Sequence, residues 1–260
     1  MLIDSHCHLN YPGLVEDQAG VLARARAAGV GGMLGIATKR HEWADVVAIA
    51  EAQPDVWATI GIHPHEADAH PDIDTAALVE AARHPKVVGI GETGLDYYYD
   101  HSDRDRQRTS FRGHIAASRE TALPLIVHTR DAEADTADIL REEMGKGAFP
   151  GVIHCFTASA DFGRIALELG FYISLSGIVT FKSARDLQET AKSIPADRLL
   201  VETDSPFLAP VPMRGKTCEP AFVSHTARFV AELRGVTPEE LIETTGENFF
   251  RLFGKARAPA

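Results

Sequence analysis

Short apolar runs alternate along the chain with longer stretches in which apolar residues recur at helical spacing. The first run, residues 2–8, is followed by Leu14, Val21/Leu22, Ala25 and Ala28, and Gly29 stops that stripe. After the second run, 30–36, Trp43, Val46/Val47 and Ala50 form the next stripe. Further runs cover 56–62, 87–90, 125–127, 152–153, 171–175 and 199–201. Strands that are apolar on both faces belong in a buried parallel sheet, and strands alternating with helices predict the α/β class. Eight such units favour a closed (β/α)8 barrel over a doubly wound open sheet. The chain then ends on a helix opened by Thr237-Pro238-Glu239-Glu240, a capping Thr with Pro at the first helical position and Glu three residues after the cap. Its stripe of Leu241/Ile242, Thr245, Phe249 and Leu252/Phe253 reads as structural.

Composition narrows the class without changing this picture. The chain has 260 residues, 45% hydrophobic and 24% charged, as expected of one barrel domain over 1–260. The three cysteines, Cys7, Cys155 and Cys218, are odd in number and widely spaced, which argues against a disulfide framework and for a reducing cytoplasm. The first residues have no signal-peptide character, and no apolar run is long enough to span a membrane. Monomer is the default expectation. A net charge of −11 argues against a protein that grips long duplex DNA by its phosphates. Any nucleic-acid partner is expected to be short or single-stranded and held at a local site.

Chemistry enters where polar residues fall at the ends of the apolar runs, the end of a barrel that carries active sites. His6 and His8 end the first run, with Cys7 turned to the opposite side by strand alternation. Glu92 follows the fourth run, His128 the fifth, His154 the sixth and Asp204 the eighth. One histidine after an apolar run is an ordinary core residue. Recurrence of His, Glu or Asp at five of eight strand ends is not explained by independent accidents. Six donors exceed the need of one zinc, which takes three plus water when catalytic, and they suit a pair of ions about 4 Å apart. On this reading His6 and His8 hold one ion, His128 and His154 the other, and Glu92 bridges. Asp204 binds one ion and accepts a proton from the attacking water, whose pKa the two ions lower.

Other residues at the same end carry alternatives. His63 contacts substrate or a leaving group, or is a loop histidine bonded to backbone; His65 reaches the same mouth. Glu202 shares the face of Asp204 and either supports a ligand or is one. Cys155 is expected to point away from His154 and pack. The proline-rich connection 205–220 carries Arg214, a phosphate contact or a solvated loop charge. Tyr97, Tyr98 and Tyr99 either stack on bases or pack over the rim.

These residues occur in Ile3-Asp4-Ser5-His6-Cys7-His8-Leu9, Gly61-Ile62-His63-Pro64-His65 and Gly89-Ile90-Gly91-Glu92-Thr93-Gly94-Leu95-Asp96. Val127-His128-Thr129-Arg130, His154-Cys155-Phe156-Thr157 and Glu202-Thr203-Asp204-Ser205-Pro206 follow. Over nearly its whole length the chain resembles the TatD family of metal-dependent hydrolases. The resemblance implies a TIM barrel, a divalent metal centre on the residues named above, and phosphodiester hydrolysis of the deoxyribonuclease or 3′–5′ exonuclease kind. One departure is Cys218, where the family commonly has Asn.

The expected function is therefore phosphodiester cleavage with two divalent ions of the Zn, Mn, Mg, Ni or Co type. Amide or ester hydrolysis, including D-aminoacyl-tRNA deacylation, is the alternative on the same scaffold, since such a centre attacks phosphorus or carbonyl carbon alike. A non-catalytic metal-binding protein is the third reading, and a missing ligand would have favoured it.

Overall fold

The computed structural model describes residues 1–99 and 101–258; Asp100, Pro259 and Ala260 lie outside the described residues. Eight strands, β1 (Leu2–Cys7), β2 (Val30–Gly35), β3 (Val56–Ile60), β4 (Val87–Asp96), β5 (Leu125–Arg130), β6 (Gly151–Ile153), β7 (Tyr172–Leu175) and β8 (Leu199–Val201), follow one another around one sheet. Every neighbouring pair is parallel. The circle closes through a parallel bridge between Cys7 and Ser205: the His8 amide donates to Ser205 O at 2.8 Å and the Asp204 amide to His6 O at 2.9 Å. The helices between strands are α1 (Gln18–Ala27), α2 (Trp43–Ala52), α3 (Thr75–Ala81), α4 (Arg104–Thr121), α5 (Glu133–Lys146), α6 (Ala160–Glu168) and α7 (Arg185–Ser193), followed by α8 (Val223–Arg234) and α9 (Pro238–Leu252). The fold is the expected TIM barrel.

Two shells of apolar side chains hold it together. Ile3, Leu34, Trp57, Val88, Ile126, Val152, Tyr172 and Leu200, one from each strand, fill the barrel interior. Their neighbours in sequence, such as Leu2, Met33, Val87, Val127, Ile153, Ile173 and Val201, join the buried faces of the helices outside. The N-terminal end of the barrel is sealed by α9. Its Phe249, Leu252 and Phe253 join the interior cluster, with the Phe249 ring 5.3 Å from Trp57 and 4.7 Å from Phe253. Thr237 Oγ1 accepts from the Glu240 amide and Glu240 Oε2 from the Thr237 amide, so the capping box read from sequence forms. Bottom closure by aromatics leaves the opposite end of the barrel for polar groups.

Strand alternation breaks in β1 and β4, and this positions the site. Between Asp4 and Cys7 of β1 the register against β2 gains a residue. Ser5, whose Oγ lies 3.0 Å from Ser174 Oγ across the barrel, and His6 therefore both face inward. In β4 one irregularity faces Ala58/Thr59 and a second lies between Ile90 and Thr93. Each extra residue flips the alternation. Val88 belongs to the interior, Ile90 to the outer shell, and Glu92 is turned inward again. The strand runs on to Asp96, well past the apolar run 87–90, because β5 supplies ladder partners as far as Arg130. The first helical stripe also differs from expectation. Leu14 is buried ahead of α1, and Ala28 lies exposed at its end.

Candidate metal centre

The C-terminal mouth of the barrel opens into a cleft of about 640 Å³. His8, His63, His65, Glu92, Asp96, His128, His154 and Asp204 line it, and His6 lies fully buried at its floor. The structure thus brings together all six residues read from strand ends, with His63 and His65 beside them.

Glu92 sits at the centre, 3% exposed, with its two oxygens divided between two sets of imidazoles. Oε2 lies 3.3 Å from His6 Nε2 and 3.9 Å from His8 Nε2. Those two nitrogens are 3.6 and 3.3 Å from Asp204 Oδ1. On the other side, Oε1 lies 2.9 Å from His154 Nε2, 3.1 Å from His128 Nδ1 and 3.4 Å from His63 Nε2. The His6 and His154 rings stack at 4.0 Å. The backbone helps to aim these groups. Asp204 at φ 57° and Cys155 at φ 42° both adopt the left-handed conformation, uncommon for residues with a Cβ.

The charges are strongly coupled. Burial pushes the Glu92 carboxyl up, but the surrounding histidines outweigh it and hold the group well below the usual range. Burial also opposes charging of His8, which hydrogen bonding to Asp204 overcomes. Burial and the neighbouring His154 press His6 down. His63 is pushed down to about 4 by burial. Its Nδ1 accepts the His65 amide at 3.1 Å, which puts the proton of the neutral ring on Nε2.

The donor set fits divalent cations. Three groups of ligand atoms, His6/His8/Glu92, His63/Glu92/His128 and His6/His154/Glu202, each converge within 4.8 Å. Both ring nitrogens of His6 are buried without a hydrogen-bond partner among the described residues. His128 Nδ1 and His154 Nε2 face each other at 3.3 Å around a shared carboxylate oxygen. Lone pairs crowded in this way are satisfied by a cation between them. His63 is the least suited of these side chains, because the nitrogen it turns to the centre carries its proton.

Some side chains lie elsewhere than expected. Cys155 lines the cleft, since the left-handed turn after His154 cancels the strand alternation, and its Sγ lies 3.3 Å from Ser176 Oγ. Arg214, expected near a phosphate, stacks its guanidinium over Phe181 at 3.8 Å and is not among the residues lining the cleft. Cys218 is buried under its loop with Ala209, Ala221 and Phe222. Tyr97 packs on the rim, its hydroxyl donating to Asp135 Oδ2 at 2.6 Å, whereas Tyr99 lines the cleft. Asp96 was assigned no role from sequence, yet it is 1% exposed, with Oδ2 3.0 Å from His128 Nε2 and 2.9 Å from His65 Nε2. Its only signal was a carboxylate closing the glycine-rich segment after Glu92. His114, also given no role, is buried on α4 and accepts the Ile62 amide at Nε2, 3.0 Å away, bracing the segment that carries His63.

Comparison with known proteins gives similarity over nearly the whole chain. A family model described as TatD related DNase matches residues 3–254. The chain is 47% identical over 255 residues to the uncharacterized metal-dependent hydrolase YcfH of Escherichia coli (strain K12), covering 97% of this chain and 95% of that one. It is 35% identical to a protein of Citrobacter koseri named 3′-5′ ssDNA/RNA exonuclease TatD, covering 98% and 100% of the two chains. Among solved structures, YjjV, a TatD homologue from Escherichia coli K12, superposes with a TM-score of 0.90 at 29% identity, covering 97% and 98%. No helix among the described residues is long and apolar enough to cross a membrane.

Proposed function

The chain belongs to the TatD family of metal-dependent hydrolases, and from that membership we propose that it cleaves phosphodiester bonds in short or single-stranded nucleic acid. The observation that carries this reading is Glu92, whose two oxygens face two separate sets of imidazoles as a bridging carboxylate requires. His6, His8 and Asp204 would hold one divalent ion, His128 and His154 a second, with Glu92 between them. His and carboxylate donors suit Zn, Mn, Ni or Co, and the carboxylates admit Mg. Ions bound there would acidify a water and stabilise charge on the substrate oxygens.

The chain's own groups supply the rest. Asp204 Oδ1 takes up the proton released by the attacking water, at the side of the cleft nearest His8. Burial keeps His63 neutral, and the His65 amide on Nδ1 leaves Nε2–H to be offered to a substrate oxygen or to the leaving group. Its backbone anchor keeps this donor in place before substrate arrives, which is what electrostatic catalysis needs. The exposed rings of Tyr99 and Phe207 flank the cleft and suit unpaired bases, because stacking accepts any base and a duplex buries its base faces. Arg130, over the faces of Tyr98 and Tyr99, and Lys39 supply cations at the rim of an otherwise acidic protein.

The test is a side-by-side assay on a single-stranded oligonucleotide, a small phosphodiester such as bis(p-nitrophenyl) phosphate, and D-aminoacyl-tRNA, with added metal and with chelator. The expected result is metal-dependent cleavage of both phosphodiesters, faster on the oligonucleotide. Deacylation of the aminoacyl-tRNA with no phosphodiester cleavage would overturn the reading.

A further inference from the structure

The four histidines of the proposed centre are not supported alike. His128 turns Nδ1 toward Glu92 and Nε2 toward Asp96 Oδ2 at 3.0 Å. His154 does the reverse: Nε2 faces Glu92 and Nδ1 lies 3.3 Å from Glu202 Oε1. Each outer carboxylate is itself fixed by backbone. Asp96 Oδ1 accepts the amides of Tyr98 and Tyr99 at 3.0 and 3.1 Å, and Glu202 Oε1 accepts the Cys155 amide at 2.8 Å. Both carboxylates are buried, Asp96 1% and Glu202 0% exposed. His6 and His8 have nothing comparable. The Nδ1 atoms behind their Nε2 donors are buried without a hydrogen-bond partner among the described residues.

We infer that Asp96 and Glu202 are positioning residues that fix opposite tautomers of His128 and His154, making the ion held by this pair the tighter of the two. A neutral imidazole whose outer N–H donates to a fixed carboxylate has its lone pair locked on the inner nitrogen and is a stronger donor toward a cation. The protonated nitrogen is then Nε2 in His128 and Nδ1 in His154. Where no acceptor stands behind the ring, as for His6 and His8, neither the tautomer nor the ring plane is fixed in this way. The two ions therefore differ in affinity, and the His6/His8 ion is the exchangeable one. This rests on the metal-centre reading above but not on the identity of the substrate.

The experiment is zinc titration of the full chain against a chromophoric chelator, with elemental analysis of ions bound, for the wild type, Asp96→Asn and Glu202→Gln. Wild type should bind two ions whose dissociation constants differ at least tenfold. Each variant should weaken the tighter ion by roughly 10- to 100-fold and leave the looser one within about threefold. Far-UV circular dichroism of the metal-free variants checks that they fold. Independently of any variant, long-range ¹H–¹⁵N spectra of the zinc-loaded wild type should place the protons on His128 Nε2 and His154 Nδ1. The reverse tautomer at either ring overturns the inference, as do two wild-type ions of equal affinity or variants that weaken both ions alike or neither. A wild type that binds no zinc defeats the metal-centre reading and this inference together. Two unequal ions without phosphodiester cleavage leave the inference standing and remove only the proposed substrate.

Discussion

Glu92 and Asp204 take the same charge into the same buried site but sit in it differently. Glu92 is surrounded, with histidines on both of its oxygens, whereas Asp204 meets His6 and His8 through one oxygen at the edge nearer solvent. On the proposed reading, loss of Glu92 should disorganise both ions, and loss of Asp204 should remove the proton acceptor together with one donor to the His6/His8 ion. We expect Glu92→Ala to abolish hydrolysis and to lower ion stoichiometry. Asp204→Ala should reduce kcat by at least roughly 10²–10⁴-fold. Circular dichroism should show both variants folded, and wild-type turnover in either would contradict these roles. Both residues were legible in the sequence because a carboxylate at the end of an apolar run is conspicuous. Asp96 was not, because its contact with His128 is made across the β4–β5 pair, from two residues beyond His128's ladder partner Gly94, and local spacing carries no sign of it.

Among the elements, β4 departs most from its sequence pattern. Its apolar run stops at Ile90, and the glycine and carboxylate positions among those that follow have little strand propensity, yet the strand continues to Asp96 on ladder bonds to β5. Gly94 is required there. Its φ is 138°, and a Cβ would overlap the His128 carbonyl oxygen. Gly94→Ala is expected to destabilise the protein by at least about 1–3 kcal/mol and to weaken ion binding through His128. Gly145, on α5 with open space where a Cβ would go, is the contrasting case. Gly145→Ala should gain up to about 0.5–1 kcal/mol. Urea unfolding of the two variants distinguishes these outcomes. On α4, His114 is buried and pushed down to about 4 by loss of solvation, with Nδ1–H donating to Ser110 O and Nε2 accepting the Ile62 amide. Its folded pKa lies below the unfolded value near 6.5, so its contribution is complete above that pH. As pH falls from there to about 4 the unfolded chain binds the proton first and stability is lost, by roughly 3 kcal/mol from this group. The stability difference between wild type and His114→Gln should change by about this amount over the window. A constant difference would show that His114 does not titrate as argued.

At the scale of the whole molecule, the barrel is apolar and aromatic at one end and ionisable at the other. The α9 plug accounts for the first, and a cluster of buried histidines and carboxylates for the second. Uncompensated, such a cluster costs stability, and cations that bind only the folded chain offset that cost. Free metal at a hundredfold excess over its dissociation constant should stabilise the protein by about 2.7 kcal/mol per site, read as a higher Tm and reversed by chelator. An unchanged Tm under saturating zinc, manganese and magnesium would count against the centre. The sequence by itself determined the succession of strands and helices, the capped closing helix and the residues gathered at the mouth, because hydrophobic period and cap chemistry act over a few residues. Tertiary structure alone decided which oxygen of Glu92 meets which ring, which nitrogen of His128 faces inward, why Cys155 enters the cleft and where Arg214 goes. Those outcomes follow from strand register, the bulges in β1 and β4 and two left-handed turns, and these are fixed by pairing between strands far apart in the chain.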